Sequence, residues 1–391
     1  MRILFLTTRL PFPPIGGERL RPFYFIKYLS MNHHIILISF VDNKDEIKIA
    51  ENYTSNSLEI KTVYLPRINS CLECLRGLFM PYPLELSYYS SSEMYRMVQQ
   101  EIKKKKINLV FCHLIRMAHY LKDINIKKIL DISDALSLRY NLSSKYRRDL
   151  FKLIEKLEYR RLRVYEPKIS SSFDLNIVAS SVDKEYFERM GVKNLWCLPN
   201  GVDIDENLYN TENKKNRIIF FANMRAYPNQ DAIIYFYKEI FPFIKRESQD
   251  VKLMVVGAHM PGYIYFLFRK DTSVELYSNV SDVKSYILKA TVSIAPMRIS
   301  VGIQNKILQS MALKIPVVAT TIAKGGIEAI PDKEIIIADK PIDFAKKVID
   351  LLRNNKLRDF IAENAFRLVK RNYSWTDITK KLEYRCIELI S

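Results

Sequence analysis

Gly16 and Gly17 form one of two adjacent glycine pairs in a chain with only ten glycines; Gly325 and Gly326 form the other. The first pair ends the segment Thr7-Thr8-Arg9-Leu10-Pro11-Phe12-Pro13-Pro14-Ile15-Gly16-Gly17, between an apolar run and a helical stretch. Glycines at that place let backbone N–H groups approach an anion at a helix N-terminus; the plainer alternative is a turn. The pattern is neither G-x-G-x-x-G nor G-x-x-x-x-G-K-[ST], so the nicotinamide, flavin and P-loop fingerprints are missing. Cys71 and Cys74 form a C-x-x-C, but no second Cys or His pair follows at a spacing that completes a zinc site. These two read as reduced thiols near an apolar loop. Among the five histidines only His113, just past an apolar run, is placed to line a cleft. His33, His34, His119 and His259 read as surface or loop residues.

The elements that must position such groups follow an α/β pattern. Apolar, β-branched runs at 2–8, 35–41, 107–112, 128–132 and 175–179 read as buried parallel strands, as do 218–222, 252–257, 292–296 and 315–319. Stretches of helical periodicity lie between them: 19–28, 92–104, 144–165, 183–190, 231–244, 283–290, 306–313 and 342–352. The turn cluster Pro199-Asn200-Gly201-Val202-Asp203 and a polar stretch after it mark a division. The expected organisation is a Rossmann-like domain over 1–200, a linker over 201–216, a second Rossmann-like domain over 217–372 and a final helix over 373–391.

Composition sets the class. With 48% hydrophobic and 27% charged residues, wholesale disorder is excluded. No run of 18 apolar residues is present, and the apolar part of the N-terminal MRILFLTTRL is too short for a signal-peptide core. A cytoplasmic chain is expected. The net charge of +18 divides as +11 over residues 1–200 and +7 over 201–391. Nucleic acid, an anionic membrane surface or a phosphorylated ligand would each account for it.

Several blocks occur in a fixed order: P-x-P-P-x-G-G-x-x-x-R at 11–21, Pro199-Asn200-Gly201-Val202-Asp203, Asn223-Met224-Arg225-Ala226-Tyr227-Pro228-Asn229-Gln230-Asp231-Ala232, a stretch over 295–312 that holds Arg298 and Gly302-Ile303-Gln304-Asn305-Lys306 and is followed by Pro316-Val317-Val318-Ala319-Thr320, and Tyr373-Ser374-Trp375. This series resembles the retaining glycosyltransferases of family 4, with the GT-B fold. It is most similar to the sugar transferases of exopolysaccharide gene clusters. The resemblance implies two Rossmann-like domains facing a cleft, with a nucleotide-sugar donor held by the C-terminal domain and an acceptor held by the N-terminal one. The final helix crosses back to the first domain. It implies no metal and no bound cofactor. Cations and N–H groups then face the diphosphate, whose negative charge grows as the glycosidic bond breaks.

On that resemblance Lys306, at a helix start after Gly302, is the foremost catalytic and donor-binding candidate, with Gly302, Ile303, Gln304 and Asn305 as the phosphate loop. Arg225, at the mouth of its strand, is either a phosphate ligand or a surface arginine. Gly16 and Gly17 would reach the donor from the opposite wall. Where many relatives carry two glutamates for sugar and ribose hydroxyls, this chain has Val301 and Gln309. Asp131 and Asp134 are catalytic candidates on the acceptor side; the alternative is a helix N-cap.

Residues 143–168 hold nine Lys/Arg and four Asp/Glu, and Lys103 to Lys106 are consecutive. Tyr146, Leu150, Leu153, Ile154, Leu157 and Val164 read as the core face of one helix, with the cations outward. The expected protein is therefore a glycosyltransferase at the inner face of a membrane. It would move a sugar from a nucleotide-diphosphate sugar to a glycan or lipid-linked acceptor of surface-polysaccharide synthesis. The alternative is a degenerate scaffold on the same fold. Nucleic acid is not expected as a partner, because no recognition motif accompanies the charge.

Overall fold

The computed structural model describes residues 1–14, 17–205 and 216–391. Most of the expected linker over 201–216 and the expected donor contact Gly16 lie outside the described residues. The chain divides into two compact units, Met1–Pro199 with Thr376–Ser391, and Asn200–Trp375.

The first unit holds seven strands: β1 Arg2–Thr7, β2 His34–Val41, β3 Leu58–Tyr64, β4 Leu109–His113, β5 Lys128–Ser133, β6 Leu175–Val178 and β7 Leu195–Cys197. All pair in parallel, in the order β3-β2-β1-β4-β5-β6-β7. The second unit holds β8 Arg217–Asn223, β9 Lys252–Ala258, β10 Val274–Ser278, β11 Val292–Ala295, β12 Val317–Ala319 and β13 Ile336–Ile337, parallel in the order β10-β9-β8-β11-β12-β13. Each sheet reverses its winding once, at β1/β4 and at β8/β11. Such reversals open a crevice at the strands' carboxyl ends, where doubly wound sheets take ligands. The expected α/β class with two Rossmann-like sheets is what the chain adopts.

The central strands are apolar on both faces because helices cover both. Ile3, Leu4, Phe5, Leu6 and Ile35 to Ile38 are fully buried, as are Ile218, Ile219 and Phe220. The strands the sequence did not announce lie at or near the edges. β3 alternates Leu58, Ile60 and Thr62 with Glu59, Lys61 and Val63, and β10 is only half-buried throughout.

Two helical readings are corrected. Residues 231–244 do not form one α-helix: Tyr227–Tyr235 passes through a π-helical turn, Phe236–Ile240, into Phe241–Glu247, where Pro242 sits in the first turn. Its missing N–H is tolerated there. Residues 144–165 also break, into Leu136–Tyr146 and Phe151–Ser170. Arg147 holds the corner, donating to Asp149 Oδ1 and to Glu155 Oε1, both at 2.8 Å.

The face of this second helix is the reverse of the one expected. Leu150, Leu153 and Val164 are 84%, 66% and 70% exposed, while Glu155, Glu158, Leu162, Glu166 and Ile169 are buried. The glutamates turn inward because other helices offer them unpaired N–H groups. Glu158 takes the N–H groups of Leu84 and Glu85, at the start of helix Leu84–Tyr88. Glu166 takes the N–H of Ser137, in the first turn of Leu136–Tyr146. A carboxylate at a helix N-terminus satisfies orphan donors and meets a favourable dipole.

Candidate active site

In the second unit the loops after β8 and β11 converge on one ammonium. The chain leaves β11 at Ala295 and enters helix Asn305–Ala312. Lys306, its second residue, is buried, and Nζ donates to Asn229 Oδ1 at 2.8 Å. Asn229 lies in the first turn of helix Tyr227–Tyr235 and is fixed by donating Nδ2 to Asn223 O at 2.8 Å. Lys306 Nζ also lies 4.6 Å from the Phe220 ring centre and 3.6 Å from Met297 Sδ. None of these neighbours is an anion. Burial lowers the Lys306 pKa to about 7, because a desolvated ammonium without a counter-charge is costly.

The loop before Lys306 is built on glycine. Gly302 has φ +65°, in the left-handed region. Gly325, with φ +48°, packs against it: a Cβ there would lie 3.2 Å from Gly302 O. Gly325 thus braces the candidate phosphate loop. Ile303 is buried beneath it. Gln304 does not cap the helix with its side chain but donates Nε2 to Ser300 Oγ at 2.9 Å. Asn305 Oδ1 accepts from Asn200 Nδ2 at 3.0 Å. Gln309 is half-buried on the same helix, and Arg225 is exposed between β8 and helix Tyr227–Tyr235. Arg298 grips Asp231 through Nε at 3.0 Å and Nη2 at 2.5 Å, tying the β11 loop to that helix.

In the first unit the ends of β4 and β5 carry a buried charged cluster. His113 and Asp131 are register partners, with His113 Nδ1 2.8 Å from Asp131 Oδ2. Arg21, on helix Gly17–Leu29, donates Nε to both Asp131 oxygens at 3.0 and 2.8 Å, and Nη1 to Pro199 O at 3.1 Å. Burial alone would raise the Asp131 pKa, but Arg21 and then His113 hold it below the usual carboxylate range. His113 Nε2 is buried without a partner among the described residues.

Asp134 stands in different surroundings. Its side chain keeps partial exposure, yet burial and then the nearby Asp183 push its pKa up to about 7. Leu114 and Ser133, which follow His113 and precede Asp134, have φ of +71° and +64°. Two non-glycine residues in the left-handed region cost about 1–3 kcal/mol each, and such strain gathers at functional sites.

The structure thus brings Gly302, Ile303, Gln304, Asn305, Lys306 and Gln309 into one loop-and-helix unit, with Arg225 on a neighbouring loop. It places Asp131 and Asp134 together at the β5 end, and Gly17 at the start of the helix that carries Arg21. Arg21, Asn229, Asp231 and Arg298 were not singled out from the sequence. All four stand inside the blocks that carry the resemblance, but the partners that give them their roles are distant in sequence or on other elements. His119, expected at the surface, is half-buried, and burial lowers its pKa to about 4. Cys71 and Cys74 are free thiols on helix Arg67–Gly77, just before the apolar turn that follows it, and burial raises the Cys74 thiol to about 11.

Residues 215–354 match the family model described as glycosyl transferases group 1. The chain is similar to an uncharacterized 44.6 kDa protein in the cps region of Klebsiella pneumoniae, with 24% identity, covering 95% of this chain and 96% of that one. Among solved structures, a sucrose-phosphate synthase from Thermosynechococcus elongatus superposes with a TM-score of 0.73 at 14% identity, over 100% of both chains. Anabaena HepE, solved with UDP-glucose, superposes with a TM-score of 0.70 at 15% identity, over 99% of this chain and 100% of that one. The match to the glycosyl transferases group 1 model falls within the second unit, and the chain's two parallel-sheet units have the GT-B fold.

Proposed function

We propose that this glycosyltransferase moves a sugar from a nucleotide-diphosphate sugar to a surface-glycan precursor, with retention and without a metal ion. The observation that carries the reading is Lys306: a buried ammonium with no anionic neighbour among the described residues, in the first turn of a helix that follows a glycine loop at the β8/β11 reversal. A diphosphate is the ligand that would complete it. HepE, of like fold, was solved with UDP-glucose, which makes a uridine donor the first to test. A surface glycan as product is supported by the likeness of part of the chain to a capsular polysaccharide biosynthesis glycosyltransferase of Staphylococcus aureus, 26% identical over 39% of this chain and 42% of that one.

In this reading the bond from the sugar's anomeric carbon to the diphosphate oxygen breaks, and its electron pair stays on the diphosphate. Lys306 and the N–H groups of its helix stabilise that charge as it forms. Gly302 to Asn305 approach the phosphates, Gln309 takes the ribose and Arg225 adds a flanking cation. The acceptor hydroxyl adds to the oxocarbenium-like sugar on the face that the diphosphate leaves, which keeps the configuration, and gives its proton to Asp134, whose carboxyl titrates near neutrality. Asp131 orients His113, and His113 Nε2 is left to bind an acceptor hydroxyl.

A lipid-linked acceptor at the inner face of the membrane fits the basic first unit. No described helix is long and apolar enough to span a bilayer. The second reading, a scaffold that has lost catalysis, rests on Val301 and Gln309. A thermal-shift screen against nucleotide sugars separates the two. A donor at 100 times its dissociation constant stabilises by about 2.7 kcal/mol, whereas a scaffold without a donor site shifts with none of them.

A further inference from the structure

Helix Arg67–Gly77 and the turn after it carry an apolar stripe that no described residue covers. Ile68, Leu72, Leu75 and Phe79 recur at helical spacing, and all four are exposed, Ile68 by 75% and Phe79 by 90%. Soluble surfaces scatter single apolar residues; four in register on one helix face, ending in a fully projecting ring, are a binding surface. The stripe is joined to a second one. Arg161 of helix Phe151–Ser170 donates to Gly77 O at 2.9 Å and to Leu78 O at 2.8 Å, tying that helix to the end of the first. Its own outward face shows Leu153 and Val164.

Charge decides what covers this surface. Helix Phe151–Ser170 contains three glutamates, and all three are buried; its six Lys/Arg remain, with Lys156, Arg160 and Arg163 exposed. The outward surface is therefore apolar and cationic, without an acidic side chain from that helix. A second copy of the chain placed on it would set cations against cations. Apolar side chains projecting beside Lys and Arg suit an interface of acyl chains and anionic headgroups.

We propose that the Arg67–Gly77 and Phe151–Ser170 face inserts into an anionic bilayer, so that the first unit is held in the membrane by side chains and not by charge alone. The proposal rests on the membrane-facing acceptor of the reading above and supplies its docking surface. Phe79, Leu75, Leu72 and Ile68 enter the acyl boundary, Lys156 and Arg160 lie at the headgroups, and Arg76 neutralises Glu73 at 2.6 Å, the acidic side chain of the first helix.

The test uses the full chain and vesicles of phosphatidylcholine with or without phosphatidylglycerol. Flotation is expected only with phosphatidylglycerol, and part of it should survive salt that screens surface charge. The indole introduced by Phe79→Trp should shift its emission to the blue on those vesicles and be quenched by brominated acyl chains. Phe79→Glu with Leu153→Glu should weaken vesicle binding by about tenfold or more. Both positions are exposed, so the fold should persist, and nucleotide-sugar binding measured on the same sample should be unchanged. Loss of vesicle binding with donor binding intact supports the surface; loss of donor binding in the parent protein would overturn only the enzymatic reading. An unshifted emission from the Phe79→Trp variant, wild-type flotation of the double variant, or a parent that sediments as a dimer beside a monomeric double variant would each overturn the proposal.

Discussion

Lys306 Nζ and Asn229 Oδ1, 77 residues apart in the chain, meet at 2.8 Å across the β8/β11 reversal. The contact is a charge held by a neutral amide, with an aromatic ring 4.6 Å away and no carboxylate beside it among the described residues. Asn229 aims the ammonium without neutralising it, which leaves the charge available to a ligand. An aspartate at 229 would fill the site from within.

Such a buried lysine should cost stability. The folded-state pKa of Lys306 lies near 7, below its unfolded value, so the unfolded chain binds more protons between about 7 and 10.5. Stability from this group therefore rises with pH across that window, and the penalty is fully present below it. Lys306→Met, which keeps the aliphatic stem against Phe220, is expected to gain on the order of 3 kcal/mol at or below neutral pH. The same variant should lose about 10²–10³ in transfer rate. Urea denaturation at pH 6 and pH 10, with an assay of sugar transfer, checks both halves.

Asp134 is expected to set the pH profile. Burial and Asp183 hold its carboxyl near neutrality, so the proton-accepting form grows as pH rises through about 7. Transfer should rise over the same range, and Asp134→Asn should be slow and flat with pH. The sign for stability is opposite to that of Lys306: the folded chain binds more protons between the ordinary aspartate value and 7, so this group destabilises as pH rises. Asp134→Asn should accordingly be more stable than the parent at pH 8.

Gln309 stands three residues beyond Lys306 on the same helix, near the same edge. Gln309→Glu should tighten nucleotide binding several-fold, because a charged acceptor gains about 1 kcal/mol over a neutral one on a ribose hydroxyl. Calorimetry on the two proteins tests it, and unchanged or weaker binding in the variant would move the ribose elsewhere.

Gly201 has a packing role. A Cβ added there would lie 2.5 Å from the Trp375 indole. Beside it Val202 N–H donates to Tyr373 O at 2.7 Å, and the Tyr373 hydroxyl accepts from Glu328 N at 2.8 Å. The Pro-Asn-Gly-Val-Asp and Tyr-Ser-Trp blocks are thus two sides of one joint within the second unit. Gly201→Ala should destabilise by about 1–3 kcal/mol, read from chemical denaturation.

Burial explains which parts of the molecule were legible in the sequence. The central strands are apolar on both faces, so Ile3 to Leu6 and Ile218 to Phe220 announce themselves as runs. At the edge, β3 mixes Glu59 and Lys61 with Ile60 and breaks the run. Lys306 stood out because Gly302 is four residues upstream and a cation in a helix's first turn is out of place. Asn229 gave no such sign, because its partner is distant in sequence. Helix Phe151–Ser170 misled for the same reason: Glu158 is buried on N–H groups 73 and 74 residues away, and periodicity assigned its apolar side chains to a core that lies on the other face.

The most direct measurement is calorimetric titration of the full chain with UDP-sugars at pH 7, in two buffers of different ionisation enthalpy. If the diphosphate sits on Lys306, it raises that pKa, and binding takes up a proton from the buffer. The account predicts proton uptake that disappears in Lys306→Met together with most of the affinity, and binding that weakens as pH rises above 7. A donor that binds Lys306→Met as tightly as the parent, with the same heat in both buffers, would contradict it.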